Sequence, residues 1–319
     1  MQVLCLGEVL VDMLGQQTSA PEKNSKKIFE PFAGGAPANV AVAVAKLGGR
    51  SALVSKVGKD SFGKMLLNTL TDFGVDTHFI KSDNGKTALA FVDLDEHGER
   101  TFDFYVENAA HKNITEDDVR HLPLNDNTIV HLCSGSFSTD SLTQSTQLLI
   151  QNATSDKALL CMDINFRPGF WSEPGCAPAA IDAAARSMHV IKASQEELDE
   201  LFDDPCDIIK TWLESGVQLV LISNGAMPVH YYTPTLAGEF DVPATQVSDT
   251  TAAGDAFIGG VLYQLARQLK TSDGLNRFLS DEQNVLTLLD FATRCGAITV
   301  SRFGAFDALP DQEDMFASS

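Results

Sequence analysis

The sequence is poor in basic residues and has no long apolar stretch. Of its 319 residues 23 are Lys or Arg and 43 are Asp or Glu, so the formal net charge is -20. A surface this acidic repels nucleic acids and anionic lipids, and neither is expected as a partner. No apolar run reaches the ~18 residues that a membrane-spanning helix needs, and no basic or apolar leader precedes the first strand-like run, so we expect neither a membrane span nor a signal peptide.

Short motifs of several enzyme classes are also missing. No HExxH indicates a zinc protease, no GxSxG indicates a serine hydrolase, and no strand is followed by the GxGxxG of dinucleotide sites. The six cysteines form no CxxC pair and several lie in apolar runs, which is typical of buried free thiols in the cytoplasm. Residues 58–65 approach a P-loop, but Met65 stands where that loop requires a hydroxyl group.

What the sequence does have is an apolar fraction of 44%, arranged in alternating β-type and helix-type segments. Strands are predicted near 3–7, 52–57, 129–133, 158–164, 189–193 and 217–223. Helices are predicted over 37–47, 61–73, 138–153, 177–188, 255–270 and 282–300. Such alternation predicts an α/β domain with a mostly parallel sheet covered by helices on both faces.

Two segments interrupt this alternation. Residues 87–94 and 99–106 are β-type runs around the Asp-Glu-His-Gly at 95–98, which predicts a hairpin turn. Residues 11–32 are polar and irregular, and a glycine-rich turn follows them. Together they predict a small β lid, formed by about 12–33 and 86–108 and inserted in a single domain that spans 1–319.

The strongest candidate site is the Asp-Thr-Thr-Ala-Ala-Gly-Asp-Ala-Phe at 249–257. Small residues at 252–254 allow a ligand close to the backbone, and the helix predicted next would present several N–H groups to an anion. Asp255 lies in the first helical turn, where a carboxylate beside a phosphate pocket could take a proton from an attacking hydroxyl. An ordinary capping acid in a small-residue turn is the alternative interpretation.

A second candidate site would suit a neutral polyol. Gly34 and Gly35 precede a helix of Ala and Val, and Asn39 in that helix offers both a donor and an acceptor. Asp12 follows the first strand as a lone acid among apolar neighbours and could bind sugar hydroxyls. The alternatives are a tight turn before a packed helix and a turn acid.

Further candidates stand where predicted strands end. Asp163, Asn165 and Arg167 follow one strand, and ligands of open α/β sheets gather at the carboxyl ends of strands. Alternation would point the three side chains the same way, and Arg167 could clamp a phosphate or acid oxygen. A local salt bridge in a loop is the alternative.

Two other strand ends are weaker candidates. Glu197, in the run that begins at Ser194, could lie near a hydrated Mg²⁺, although a helix cap with first-turn acids explains the same residues. Ser223, Asn224 and Gly225 could touch nucleotide phosphates or form a plain turn.

These motifs resemble those of the ribokinase-like carbohydrate kinases, and within them those of bacterial fructokinases. The resemblance runs from the Gly-Glu-Val-Leu-Val-Asp at 7–12 to the Gly-Ala-Phe-Asp-Ala-Leu-Pro at 304–310. It implies the ribokinase-like three-layer α/β fold and transfer of the ATP γ-phosphate to the 6-hydroxyl of fructose. Activity on 2-keto-3-deoxygluconate or ribose stays open, and so does a sensor that binds sugar or nucleotide without catalysis.

The resemblance also implies a role for each candidate residue. Asp255 matches the catalytic base, and Ala252, Ala253 and Gly254 match the anion hole of the family. The sugar-binding positions of the family are matched in this chain by Asp12, Gly34, Gly35, Asn39, Asp163, Asn165 and Arg167. Its ATP-binding positions are matched by Ser194, Ser223, Asn224, Gly225, Thr250 and Gly254. Glu197 matches a residue of the magnesium–water network, and the resemblance implies a monovalent cation such as K⁺ near Asp249 and Thr251.

The sequence departs from the family's pattern at a few of these positions. Ala252 stands where glycine is commonest, and we expect it to allow the helix start at a negative φ. Ser194 replaces the usual asparagine, and Asn224 stands where leucine is frequent. The expected ligands are a sugar, ATP, Mg²⁺ and K⁺, and the expected assembly is a homodimer through the lid.

Overall fold

The structure, a computed structural model, describes residues 1–16, 28–94 and 100–316. The strands are β1 (Gln2–Leu6), β2 (Leu10–Gln16), β3 (Ile28–Gly34), β4 (Arg50–Gly58), β5 (Ile80–Asp83), β6 (Ala88–Leu94), β7 (Arg100–Tyr105), β8 (Thr128–Cys133), β9 (Leu159–Asp163), β10 (Val190–Ser194), β11 (Leu219–Asn224), β12 (Met227–Tyr232) and β13 (Ala237–Phe240). The α-helices are α1 (Ala36–Lys46), α2 (Ser61–Asp72), α3 (Glu116–Val119), α4 (Asp140–Ser155), α5 (Ala177–Ala185), α6 (Gln195–Leu201), α7 (Pro205–Ser215), α8 (Ala253–Gln268), α9 (Leu275–Leu279), α10 (Glu282–Val300) and α11 (Gln312–Phe316). Short 3₁₀ helices are Ala110–Asn113, Ser134–Phe137, Pro168–Phe170, Pro174–Cys176 and Ser272–Gly274.

Nine of the described strands form one large sheet, in the order β13-β12-β11-β10-β9-β8-β1-β4-β5. The seven strands from β11 to β5 in that order pair in parallel, and β12 and β13 add an antiparallel edge. The predicted α/β class with a mostly parallel sheet is therefore confirmed.

The central strands are buried on both faces, as their continuous apolar sequences predicted. In β1, Val3 and Cys5 pack into one hydrophobic core with α1, α8 and α10, whereas Leu4 and Leu6 pack into a second core with α4, α5 and α7. Successive side chains of a strand point to opposite faces, so one strand contributes to both cores. The result is three layers, with helices on each side of the sheet.

Four strands form a separate small sheet in the order β3-β2-β6-β7. The expectation of irregular chain over 11–32 is wrong at both ends, because Leu10–Gln16 and Ile28–Gly34 pair as antiparallel strands. β6 and β7 pair as predicted, whereas the predicted turn at 95–98 lies outside the described residues. The small sheet is joined to the large one through β2, which follows β1 after three residues, Gly7 to Val9.

Helix α8 lies between α1 and α10 and is held close to both by glycines. A Cβ at Gly259 would lie 2.6 Å from Cβ of Ala43 in α1, and a Cβ at Gly260 would lie 3.0 Å from Sγ of Cys295 in α10. This tight packing fixes where the N-terminus of α8 emerges. No helix of the described residues is both long and apolar enough to cross a membrane.

Candidate active site

A cavity of ≈ 810 Å³ opens where the parallel strands of the large sheet end and the small sheet begins. The small sheet contributes Asp12 and Phe104, which lie on the same face on either side of Ala90. The complete lining is Glu8, Leu10, Asp12, Gly35, Ala36, Asn39, Phe104, Asn165, Arg167, Phe170, Glu196, Val247, Ser248, Asp249, Thr250, Thr251, Ala252, Asp255 and Phe303.

Asp255 lies in the first turn of α8 and is buried against two amide side chains. Nδ2 of Asn39, 216 positions earlier, donates to Oδ2 at 2.7 Å, and Nδ2 of Asn165 donates to Oδ1 at 3.1 Å. Burial raises the pKa of Asp255 above its ordinary value, while the Asn39 hydrogen bond and the charges of Lys192 and Arg167 oppose the rise. The two amides orient the carboxylate and leave it lone pairs that a substrate hydroxyl can reach.

The N-terminus of α8 has no side-chain cap among the described residues, because its N-cap residue is Ala252. The N–H groups of Ala253, Gly254 and Asp255 therefore stand at a helix end that carries partial positive charge. Ala252 and Thr250 line the cavity beside them. Such an end can bind an anion with backbone groups alone.

Ala252 corrects the expectation of a negative φ. Its φ is 59° and its ψ is 8°, so it adopts the left-handed conformation. A residue with a Cβ pays about 1–2 kcal/mol for that conformation, and glycine does not. The helix start accordingly adopts a backbone conformation that favours glycine, held by the surrounding structure despite the methyl group.

Asp163 does not reach the cavity, contrary to the prediction that it lines the sugar side. It is fully buried, and both of its carboxylate oxygens lie 3.0 Å from Nζ of Lys192. That ammonium group also lies 3.0 Å from where a Cβ of Gly254 would stand. Burial opposes the charge on Lys192, but attraction by Asp163 and Glu197 raises its pKa above the ordinary value. A buried cation thus stands behind the start of α8.

The N-terminus of α6 is closed by its own side chains. Oγ of Ser194 accepts from the N–H of Glu197 at 3.1 Å, and Oε2 of Glu197 accepts from the N–H of Ser194 at 2.9 Å. Oε1 of Glu197 accepts from the N–H of Phe166 at 3.0 Å. In this arrangement neither Ser194 nor Glu197 lines the cavity, whereas Glu196 does.

Gly34 and Gly35 pack closely against Asp12 and the backbone of Glu8, and a side chain at either glycine would collide with them. A Cβ at Gly34 would collide with Oδ2 of Asp12, so glycine at that position makes room for the acid. Gly35 has a φ of 105° and a Cβ there would lie 2.9 Å from the carbonyl oxygen of Glu8. Asp12, Gly35 and Asn39 line the cavity, and Gly34 lies behind Asp12.

Asn165 and Arg167 lie at the cavity as predicted in position, but β9 ends at Asp163 and the backbone turns there. Asn165 has a φ of 38°, which directs its amide to Asp255. The Arg167 side chain is 52% exposed, its Nη1 donates to the carbonyl oxygen of Phe166 at 2.8 Å, and the same atom lies 3.8 Å from Oε1 of Glu197. Much of the guanidinium group is therefore available to a ligand.

The predicted nucleotide residues fall into two groups. Ser223 and Asn224 end β11, Gly225 begins the turn to β12, and none of the three lines the cavity. Ser223 Oγ donates to the carbonyl oxygen of Ala193 at 3.4 Å, and Gly225 has a φ of 56°. Thr250 lines the cavity directly.

Asp249 and Thr251 also line the cavity, and Asp249 ties two loops together. Its Oδ1 accepts from the N–H of Thr251 at 2.8 Å and its Oδ2 accepts from the N–H of Gly304 at 3.0 Å. Because the carboxylate is engaged with the backbone, backbone carbonyl groups are the oxygens that this corner offers to a cation.

Among the described residues no group of three His, Cys, Asp or Glu side chains could hold a metal ion by itself. The cavity does offer the carboxylate oxygens of Glu196. Oxygen ligands suit Mg²⁺, which in phosphoryl-transfer sites is held by one or two carboxylates, waters and substrate phosphates. The residues present therefore fit a magnesium ion that arrives with its phosphates.

Sequence reasoning missed several residues that the fold brings to the site. Glu8 lines the cavity with only 7% of its surface exposed, and burial raises its pKa to about 7. Phe104 and Phe170 stack edge-to-face at 4.9 Å and border the cavity, and Lys192 lies behind the start of α8. The one available signal was an acid directly after Gly7, at the end of the first strand.

Comparison with known proteins gives a consistent result over the whole chain. Residues 1–312 match the family described as pfkB family carbohydrate kinase. The probable fructokinase-6, chloroplastic, of Arabidopsis thaliana is 36% identical over 316 residues, which cover 98% of this chain and 80% of the relative. The solved structure of fructokinase with bound ATP from Xylella fastidiosa superposes with a TM-score of 0.90 at 37% identity, covering 99% of this chain and 97% of that one. Fructokinase from Vibrio cholerae O395, bound to fructose, ADP and calcium ion, superposes with a TM-score of 0.86 at 32% identity, covering 99% and 98%. The expected three-layer fold is thereby confirmed.

Proposed function

The chain belongs to the pfkB family of carbohydrate kinases, and from this premise we propose that it transfers the γ-phosphate of ATP to the 6-hydroxyl of fructose with Asp255 as general base. The observation that carries the proposal is the setting of Asp255. Its carboxylate is buried at an uncapped helix N-terminus and held by Asn39 and Asn165 on the sugar side of the cavity. Solved relatives with ATP, and with fructose and ADP, support the choice of donor and acceptor.

In the proposed reaction each group has a defined task. Asp255 takes the proton of the 6-hydroxyl as the oxygen attacks the γ-phosphorus in line, a contribution of typically about 10²–10⁴-fold in rate. The N–H groups of Ala253 and Gly254 stabilise charge on the moving phosphoryl group. Lys192, buried behind that helix start, adds positive potential without occupying the cavity.

The remaining ligand roles are assigned to residues that line the cavity or lie beside it. Asp12, Gly35, Asn39 and Arg167 are proposed to contact the sugar. Thr250 is proposed to contact ATP, together with Ser223, Asn224 and Gly225 at the end of β11. Mg²⁺, held by the ATP phosphates with Glu196 beside it and Glu197 acting through water, would neutralise phosphate charge. Carbonyl groups near Asp249 and Thr251 are proposed to bind K⁺, supported by the closed loop that Asp249 makes with Gly304.

We propose that the small sheet, with the boundaries of about 12–33 and 86–108, is a lid that excludes water from the transferring phosphoryl group. Its face toward the cavity carries Asp12 and Phe104. Closure there would protect ATP from hydrolysis when sugar is bound.

The opposite face of that sheet is proposed to join two copies of the chain. Phe91 contacts Phe29 and Tyr105 at ring distances of 5.0 and 5.1 Å, and Tyr105 is 58% exposed. An apolar, aromatic face of this kind suits a protein interface. Light scattering of the wild type should give twice the mass of one chain. The variant Tyr105→Lys should lower the measured mass toward that of one chain. A wild-type mass equal to that of one chain would contradict the homodimer.

The test of the function is an ADP-release assay with Mg-ATP and a panel of acceptors. The panel contains fructose, ribose, 2-keto-3-deoxygluconate, glucose, adenosine and fructose 6-phosphate. We expect selective turnover of fructose, with the phosphate on oxygen 6 by NMR. Turnover of another acceptor in the panel would change the proposed substrate but not the proposed mechanism, whereas ATP binding without any turnover would favour a sensor.

A cytoplasmic location is proposed with this function, supported by six cysteines that are free thiols, four of them buried.

A further inference from the structure

A small side pocket opens beside the main cavity at the end of β1. It is lined by Glu8, Cys133, Gly135, Asn165, Arg167 and Phe170, and its volume is ≈ 10 Å³. A space of that size accommodates one water molecule or one hydroxyl group and nothing larger. Because it shares Glu8, Asn165 and Arg167 with the main cavity, a substrate group can enter it without leaving the site.

Glu8 forms the polar wall of this side pocket. It lies in the three-residue connection between β1 and β2, and its side chain accepts from its own backbone N–H and from that of Ala36. The charged groups that act on it are Asp255, which disfavours a second negative charge, and Arg167, which favours one. A carboxyl group has about four positions for hydrogen bonds, so the bonds from the two backbone N–H groups leave capacity for a ligand.

The placement of an acid here is costly unless a ligand uses it. Burial of an ionisable group in a site that already holds Asp255 is unfavourable, and its pKa rises to about 7 as a consequence. Capping of α1 alone would need only a neutral acceptor. A carboxyl group that faces a space for one oxygen atom, next to the proposed base, is suited to bind a hydroxyl group.

We infer that Glu8 and the side pocket form a subsite for one hydroxyl group of the acceptor sugar, other than the hydroxyl that is phosphorylated. The inference rests on the proposed sugar kinase function. It makes Glu8 a specificity-determining residue: a neutral sugar with a hydroxyl at that place is accepted, and a larger substituent does not fit.

The first experiment fills the pocket without replacing Glu8. In Gly135→Ala the new Cβ would lie 3.7 Å from Oε2 of Glu8 and 3.7 Å from Cδ1 of Phe170, which are ordinary contacts, so the fold should be unaffected. We expect KM for fructose to rise roughly 10-fold or more while KM for ATP stays near the wild-type value. The matched control is Gly175→Ala, where nothing lies within 4 Å of the new Cβ. An unchanged KM for fructose in Gly135→Ala would overturn the subsite.

The second experiment pairs Glu8 variants with monodeoxy sugars. With 1-, 3- and 4-deoxyfructose as acceptors, one analogue should be a poor substrate for the wild type, by roughly 10- to 100-fold in kcat/KM. Glu8→Ala should reduce turnover of fructose by a similar factor and should reduce turnover of that one analogue no further, because the bond is already absent. Glu8→Gln, which keeps an acceptor for Ala36, should retain more activity than Glu8→Ala.

Three outcomes separate the possible failures. Equal losses on fructose and all three analogues in Glu8→Ala would assign Glu8 to capping α1 and overturn the inference. A melting temperature that falls in Glu8→Ala but not in Glu8→Gln, with no change in the choice among sugars for either, would do the same. Absence of fructose turnover in the wild type would instead reject the proposed function, before any variant is compared.

Discussion

Two helix N-termini beside the cavity share a local pattern and are built in opposite ways. Both α6 and α8 carry an acid three positions after the N-cap residue, Glu197 after Ser194 and Asp255 after Ala252. In α6 the serine hydroxyl and the glutamate close the helix end reciprocally. In α8 the N-cap has no oxygen to offer, and the aspartate turns instead to Asn39 and Asn165.

The difference shows how a helix start becomes a reactive site. A capping box satisfies the N–H groups and engages the carboxylate, which stabilises the helix and leaves little for a ligand. Without a side-chain cap, the N–H groups of Gly254 and Asp255 and lone pairs of the carboxylate remain for substrate, at a cost in stability. The strained Ala252 and the buried Asp255 are the places where α8 bears that cost.

The largest expected effect comes from Asp255→Asn. The amide keeps the shape of the side chain and cannot accept the hydroxyl proton, so kcat should fall about 10²–10⁴-fold. Binding of ATP and fructose should persist in calorimetry, and circular dichroism should show an intact fold. A kcat near the wild-type value would show that another group is the base. It would also show that the N-termini of α6 and α8 differ less in reactivity than their geometry indicates.

The pH dependence of Asp255 should run in opposite directions for turnover and for stability. Its folded pKa is raised above 3.8, and the base works only when ionised, so kcat/KM for sugar should fall about tenfold per pH unit below that raised pKa. The folded state holds the proton more tightly than the unfolded chain. Stability of the wild type relative to Asp255→Asn should therefore decrease as pH rises from 3.8 through the raised pKa.

These two trends can be measured on the same pair of proteins. Urea unfolding at several pH values compares wild type with Asp255→Asn, and a pH–rate profile covers the same range for the wild type. If the stability of the wild type relative to Asp255→Asn instead increased as pH rises through this range, a raised pKa at this position would be contradicted.

A smaller effect is expected from removing the side-chain cap at the N-terminus of α6. Ser194→Ala removes the hydroxyl that accepts from Glu197 N–H, which should lower the free energy of unfolding by about 1 kcal/mol. Turnover should fall far less than in Asp255→Asn, because Ser194 does not line the cavity. A loss of turnover as large as that of Asp255→Asn would show that α6 takes a direct part in the reaction.

The smallest effect should come from relieving the strain of α8. Ala252→Gly removes the methyl group at a φ of 59° and should raise the free energy of unfolding by about 0.5–1 kcal/mol, after the greater freedom of glycine in the unfolded chain is counted. Differential scanning calorimetry can detect this change. Destabilisation would mean that the methyl group contributes packing that outweighs its strain.

The layers of the fold were predictable because each strand and helix has a local pattern. Continuous apolar runs such as β8 and β9 indicated strands buried on both faces, and the amphipathic segments indicated the helices between them. The region 11–32 was not predictable as β2 and β3, because Gly15 and Pro31 interrupt their strand patterns and both strands gain stability from pairing.

Candidate residues whose role depends on neighbours in the sequence were easier to place than those whose orientation depends on side chains far away in the chain. The start of α8 followed from small residues before a helix. Asp163 was misplaced because its orientation depends on Lys192, 29 positions away in the neighbouring strand β10. Glu8 was overlooked because its burial depends on the packing of α1 and on the turn at Gly135.

By itself, the sequence determined the alternating layers, the uncapped helix start and the acid within it, because these features depend on residues close together in the chain. Only the tertiary structure decided what that acid contacts. The amides of Asn39 and Asn165 lie 216 and 90 positions from Asp255, and the side pocket forms where three separate segments of the chain meet. Contacts of this range arise from packing of the whole domain, so no local pattern of residues contains them.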